Sequence, residues 1–246
     1  MERAAPVLRL GRRAAAGAGL LAGLVAWNVV YDQVEDVPVG ADVAIVGALL
    51  IPATFALVWL ALPLRLARGL VAVAVALGVL AAVLHAAGAD VGANFAKLAA
   101  MTLVAFWFLG YFERVTWIVG LALAVPLVDA VSVWRGPTHH IVTEQPRVFD
   151  ALSYALPAPG GDSFALGLPD ILFFGLFLGA AARWGLRVAL TWLLMVASLG
   201  GTIALTVWTD PFGIGGLPAL PGLSLGFLLA NADVLWRRRR ARVAER

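Results

Sequence analysis

Leu166-Gly167-Leu168-Pro169-Asp170-Ile171-Leu172-Phe173-Phe174 decides how the rest of the chain is read. An aspartate stands there a few residues inside an apolar run. Burying a carboxylate in hydrocarbon is costly, so an ionisable residue at membrane depth points to function. A second such residue, Asp129, lies in the preceding apolar run, Val115 to Trp134. The remaining runs read as a scaffold that brings these two carboxyl groups together.

Composition supports that frame. Of 246 residues, 62% are hydrophobic and 13% charged, and the mean hydropathy is +0.92. A soluble domain of this length could not bury so much apolar surface, and stretches of this kind are read as transmembrane helices. The expected fold is therefore an all-α polytopic transmembrane helical bundle of about eight spans, forming a single integral membrane domain over residues 1–246. The absence of cysteine excludes disulfides and thiolate chemistry. A pI of about 9.9 does not point to nucleic acid, because the arginines cluster at the ends of apolar runs, where membrane topology places them.

Taken in order, a basic arm at residues 1–13 precedes a first run, Ala14 to Val30. That run reads as a retained helix, because Trp27 to Tyr31 offers no small-x-small cleavage site. Further runs cover Asp42 to Pro63, Gly69 to Ala87, Asn94 to Phe112, Val115 to Trp134, Phe164 to Ala182, Leu186 to Trp208 and Leu217 to Trp236. Residues 1–113 form the scaffold and 114–236 the part that bears the chemistry. The tail at 237–246 is basic and stops transfer. Each run holds about 17–23 residues, enough to cross roughly 30 Å of hydrocarbon. An even number of spans puts both termini on one side. Arg65, Arg68, Arg114, Arg183, Arg187 and the Arg237–Arg240 tail then share that side. The positive-inside rule makes it the cytoplasm and leaves loop 135–163 extracytoplasmic.

On this topology the fifth run travels outward and the sixth inward. Asp129 and Asp170 then lie at matched depth, roughly 8–9 Å below the outer helix ends. Two opposed carboxyls in a medium of low dielectric cannot both ionise and would share one proton. One could then activate water as general base while the other hydrogen-bonds a carbonyl. Pro126 and Pro169 would free backbone carbonyls nearby, which is tolerated in a membrane where a water-lined cavity is present. Pro169 should open the sixth helix, with Gly167-Leu168 as an extended lead-in. Asp170 would then sit in the first turn, where free N–H groups face it. That makes it the expected base, with Asp129 carrying the proton.

Other polar residues carry less. The adjacent His139-His140 lacks the partners of a chelating site, so no metal and no cofactor are expected. His85 reads as interfacial, Lys97 as snorkelling to the outer surface, and Asp233 as paired with the arginine tail. Ser132, Ser198 and Ser224 have no histidine at matching depth. Gly175 and Gly179 fit a small-x-x-x-small packing face.

Gly167-Leu168-Pro169-Asp170 resembles the GxGD motif of the intramembrane aspartyl proteases, the presenilin and signal peptide peptidase family. Val128-Asp129 occupies the place of that family's Tyr-Asp, and Leu217-Pro218-Ala219-Leu220-Pro221 is similar to its Pro-Ala-Leu motif. Gly136-Pro137 followed by Ile141-Val142-Thr143-Glu144 resembles the start of the presenilin loop. The likeness spans about residues 120–236, with the motifs in the family's order. Val128 stands where the family has tyrosine and Pro169 where it has glycine, and eight spans stand against its nine.

The resemblance implies a prokaryotic-type member in the plasma membrane, an aspartic endopeptidase with Asp129 and Asp170 catalytic. Its substrates would be single-pass transmembrane helices or signal-peptide remnants cleaved within the bilayer. Gly167, Leu168, Pro169, Pro218, Ala219, Leu220 and Pro221 would bind substrate, and Ile141, Val142 and Thr143 would offer a partner strand by β-augmentation. Two other readings stand beside this one. The first is a catalytically silent family member that only binds transmembrane helices. The second is a proton-coupled transporter using the acid pair, although such proteins show repeat symmetry that is not evident here.

Overall fold

A computed structural model describes residues 4–135, 146–161, 163–209 and 218–244. Helix α1 (Ala4–Val30) is followed by α2 (Val39–Ile45), which runs through a π-turn at Val46–Leu50 into α3 (Ile51–Leu60). Pro52 has no N–H to continue the regular ladder, and the widened turn absorbs the missing bond. Next come α4 (Leu70–Ala86), α5 (Asp90–Leu109) and α6 (Val115–Arg135). A short helix α7 (Pro146–Ala151) leads into a β-hairpin of β1 (Ser153–Pro157) and β2 (Ser163–Gly167). Helices α8 (Leu168–Arg183), α9 (Val188–Thr209) and α10 (Leu220–Ala244) complete the chain.

Among the described residues, five segments are long and apolar enough to cross a membrane: Gly11–Gln33, Val39–Leu66, Asp90–Leu109, Val115–Ser132 and Val188–Thr209. The chain is a helical membrane protein. Helices α4 and α8 are apolar but shorter, at 17 and 16 residues. Helix α10 carries Asn231, Asp233 and the arginine tail.

Helix α8 is the centre of the bundle. Its residues Ile171, Phe174 and Gly175 to Ala181 are all buried, as expected of a helix that is apolar all round. Phe55 of α3 meets Phe174 with ring centroids 4.0 Å apart, and Phe177 stacks on Phe227 of α10 at 4.9 Å. The glycine face is used for close approach to α5. A Cβ on Gly175 would lie 2.9 Å from that of Ala105, and one on Gly179 would lie 3.0 Å from Leu109. Helix α9 crosses the π-turn just as tightly, since a Cβ on Gly200 would lie 3.0 Å from the Gly47 carbonyl oxygen.

Polar side chains gather at the two ends of the bundle. At one end, Arg183 donates to the Leu109 carbonyl, Arg187 and Arg237 bind Asp233 at 2.7 Å, and Arg238 donates to the Trp184 carbonyl. At the other end lie the hairpin and the side chains that hold it.

Several sequence expectations need correction. The bundle is helical as expected, but loop 135–163 contains α7 and most of a hairpin. Phe164 to Gly167 are strand, so the sixth helix starts at Leu168 rather than Phe164. The apolar alternation there serves a strand lying on the bundle end, with Leu166 buried and Ser163 and Ala165 exposed. The second run forms helix from Val39, ahead of Asp42. The last helix starts at Leu220 and continues past Trp236 through the arginines to Ala244, so no break separates bundle from tail.

Candidate active site

The junction of β2 and α8 sets Asp170. Gly167 is the N-cap, with an extended backbone at φ −61° and ψ 143°. Pro169 occupies the first turn, where its missing N–H costs nothing. Asp170 is third in the helix, and its Oδ2 accepts the Gly167 N–H at 3.0 Å, the carboxylate half of a capping box. The first-turn position of Asp170 follows the sequence expectation, whereas of the expected Gly167-Leu168 lead-in only Gly167 is extended and Leu168 already opens the helix. The close fit explains the glycine as well, because a Cβ at Gly167 would lie 3.3 Å from Asp170 Oδ2. Leu168 donates its N–H to the Leu152 carbonyl at 3.1 Å, tying the helix start to the residue before β1.

Asp129 sits on α6 one turn beyond Pro126, half-buried. Its Oδ2 accepts the backbone N–H of Leu220 at 3.1 Å. That N–H belongs to the first residue of α10, and it is an orphan donor that the helix itself cannot satisfy. The Pro-Ala-Leu segment is thus fastened to the aspartate by main chain. Pro218 precedes the helix, Ala219 and Leu220 are buried, and Pro221 fits the first turn without needing an N–H. The prolines therefore permit a regular helix start here.

The two carboxyl groups are close enough for their charges to interact. They come together differently from the expectation of directly opposed neighbours, because α6 packs chiefly against α10 and touches α8 only lightly. The expected asymmetry is also corrected. Each carboxylate holds one backbone N–H, from Gly167 or from Leu220, so Asp129 does not lack main-chain support. Val128 is 70% exposed and turns away from this site.

The hairpin beside Asp170 is clamped along one edge. Asn94 of α5 donates to the Ala155 carbonyl at 2.8 Å and accepts the Ala155 N–H at 2.9 Å. Lys97 donates to the carbonyls of Asp150 and Ser153 at 2.8 and 2.9 Å, which holds its ammonium on the hairpin. Trp27 of α1 donates its indole N–H to the Pro157 carbonyl at 2.8 Å. Tyr154 is buried beside Thr54 of α3. The hairpin tip needs glycine, since Gly160 has φ +75° and a Cβ there would lie 2.7 Å from Asp36 Oδ1.

This clamp fixes which edge stays open. Ala155 spends its N–H and C=O on Asn94, so it does not bond β2. In an antiparallel pair its partner Ala165 must then also point outward. Ala165 is exposed, and its N–H and C=O form a strand edge five residues before Asp170. Nothing in the sequence marked Asn94, Lys97 or Trp27 as hairpin clamps, because their partners are main-chain atoms far away in the chain. Ile141, Val142 and Thr143, the Gly136-Pro137 and Glu144 positions and His139-His140 lie outside the described residues. Among the described residues, no group of acidic and histidine side chains could hold a metal ion.

The chain matches no protein-family model, and neither a curated protein nor a solved structure is recognisably similar to it.

Proposed function

We propose that the protein is an intramembrane aspartyl endopeptidase of the presenilin and signal peptide peptidase type, hydrolysing peptide bonds of single-pass transmembrane helices. The observation that carries this reading is the site's connectivity. Two acids from separate helices lie within electrostatic reach, and one of them, Asp129, binds the first N–H of the Pro-Ala-Leu helix.

Each carboxylate keeps one oxygen on a backbone N–H and has the other available. With one proton between them, the ionised member deprotonates a water and the protonated member donates to the scissile carbonyl. The backbone N–H clamps at both acids are partners with no rotamers of their own to lose, which suits a preorganised dyad. A substrate helix must unwind before its peptide bond is attacked. The open β2 edge at Ala165 offers the unwound segment a strand to pair with and aims it toward Asp170. In this arrangement both termini are cytoplasmic, the hairpin is extracytoplasmic, and eight helices cross the bilayer.

The test uses purified protein in liposomes with a set of single-pass helices, beside Asp129→Asn and Asp170→Asn. Either variant should remove cleavage completely while leaving the circular dichroism unchanged. Cleavage that survives in both variants would exclude the dyad.

A further inference from the structure

A groove of about 390 Å³ runs between α4 and α5 and reaches Leu168 at the start of α8. Its volume lies within the usual range of small-molecule sites, about 300–1,000 Å³. Gly78, Ala81 and Ala82 of α4 and Ala100 of α5 create it by lacking bulk. Lys97 and His85 stand at one end, and Leu152 and Leu168 close that end against the hairpin. Gly78 lies seven residues from His85, so the apolar part extends roughly 10 Å along the helix axes from the polar end.

The polar end carries charge of both signs. The half-buried Lys97 ammonium spends two of its three N–H donors on the Asp150 and Ser153 carbonyls, leaving one for a further acceptor. The Asp90 and Asp150 carboxylates lie within its electrostatic reach. Asp90 bonds His85 Nδ1 through one oxygen at 2.9 Å, and its side chain is 73% exposed.

We propose that this groove binds one zwitterionic phospholipid of the phosphatidylethanolamine type. An acyl chain lies along the α4–α5 groove, the phosphate accepts from Lys97, and the headgroup ammonium meets Asp90. The geometry suits this occupant, since Lys97 lines the groove and Asp90 is bonded to its His85 wall, and a primary ammonium can donate to that carboxylate where the trimethylammonium of phosphatidylcholine cannot. A cation and a carboxylate side by side complement a headgroup bearing both charges, whereas a purely anionic headgroup would be repelled by Asp90 and Asp150. The apolar part runs parallel to the helices, which is the direction of an acyl chain in a bilayer. The inference stands independently of the protease reading, although the lipid rests against Leu168, two residues from Asp170.

The full chain is reconstituted with equal phosphatidylethanolamine, phosphatidylglycerol and phosphatidylcholine, then taken into mild detergent. Native mass spectrometry counts the lipid retained by headgroup. The wild type should keep one phosphatidylethanolamine. Lys97→Gln should lower the retained fraction about tenfold, the scale of one charge-assisted hydrogen bond. Asp90→Asn should remove the preference over phosphatidylglycerol. Gly78→Leu is the decisive variant. A Cβ there meets nothing within 4 Å, so leucine fills the groove while every hydrogen bond of the protein is kept, and the lipid should be lost from a normally folded chain. Retention of phosphatidylglycerol or phosphatidylcholine as well as phosphatidylethanolamine by the wild type would overturn the assignment. So would undiminished lipid on Gly78→Leu.

Discussion

At the scale of single residues, the two departures from the GxGD-family pattern have different surroundings. Val128 points away from the acid pair on an exposed face of α6, so a larger side chain has room. Val128→Tyr should change stability by no more than about 0.5 kcal/mol, as at other open surface positions. It should leave cleavage of a transmembrane substrate within twofold, checked by thermal melting and by the proteoliposome assay. Pro169 lies in the first turn of α8, where nothing requires its N–H. Pro169→Gly should cost about 1 kcal/mol through the freer unfolded chain and leave activity equal or higher. A large loss of activity in a well-folded Pro169→Gly protein would show that the ring itself positions Asp170. The placement of Asp170 was legible because proline and glycine constrain the backbone locally. The Leu220 bond to Asp129 was not, because a carboxylate meeting a main-chain N–H 91 residues away leaves no local pattern.

At the scale of elements, the hairpin was the feature the sequence concealed. Phe164 to Gly167 reads as the start of an apolar helix, and only the tertiary clamp from Asn94, Lys97 and Trp27 shows it as strand. The open β2 edge gives a direct test of substrate pairing. Ala165→Pro removes one outward N–H from an edge position that tolerates proline. If the substrate strand pairs there, kcat/KM should fall about 5–10-fold, the worth of one hydrogen bond, with the melting temperature nearly unchanged. An unaltered kcat/KM would move the substrate elsewhere. The docking of β1 has its own signature. Burial pushes the Tyr154 phenol up to about 12 from its ordinary value of 10.0, partly offset by the Thr54 hydroxyl. The neutral form is therefore the one the folded hairpin favours. Its contribution is fully present below about pH 10 and is lost as pH rises from there toward about 12. Melting temperatures followed across that window should fall more steeply for the wild type than for Tyr154→Phe.

At the scale of the whole molecule, hydropathy and the placement of arginine conveyed the bundle, while packing decided its internal order. Apolar runs announce helices because a bilayer leaves backbone groups no partner but their own chain. They do not say which helices touch, and so α6 lies against α10 more than against α8. The arginines do carry large-scale information. Arg183, Arg187, Arg237 and Arg238 meet at one end of the bundle, and the hairpin occupies the other. If the arginine-rich end faces the cytoplasm, reagents added to intact cells should reach the hairpin and not the turns at the opposite end. The native chain has no cysteine, so single substitutions report without background. Ser163 on β2 and Ala67 before α4 are both exposed, whereas Ser153 is buried beneath Lys97 and would be silent from either side. Ser163→Cys should therefore react with a membrane-impermeant maleimide in intact cells, and Ala67→Cys only after permeabilisation. The opposite pattern would invert the topology. It would place the candidate dyad and its open strand edge toward the cytoplasm, where cleavage would act on the other end of a substrate helix.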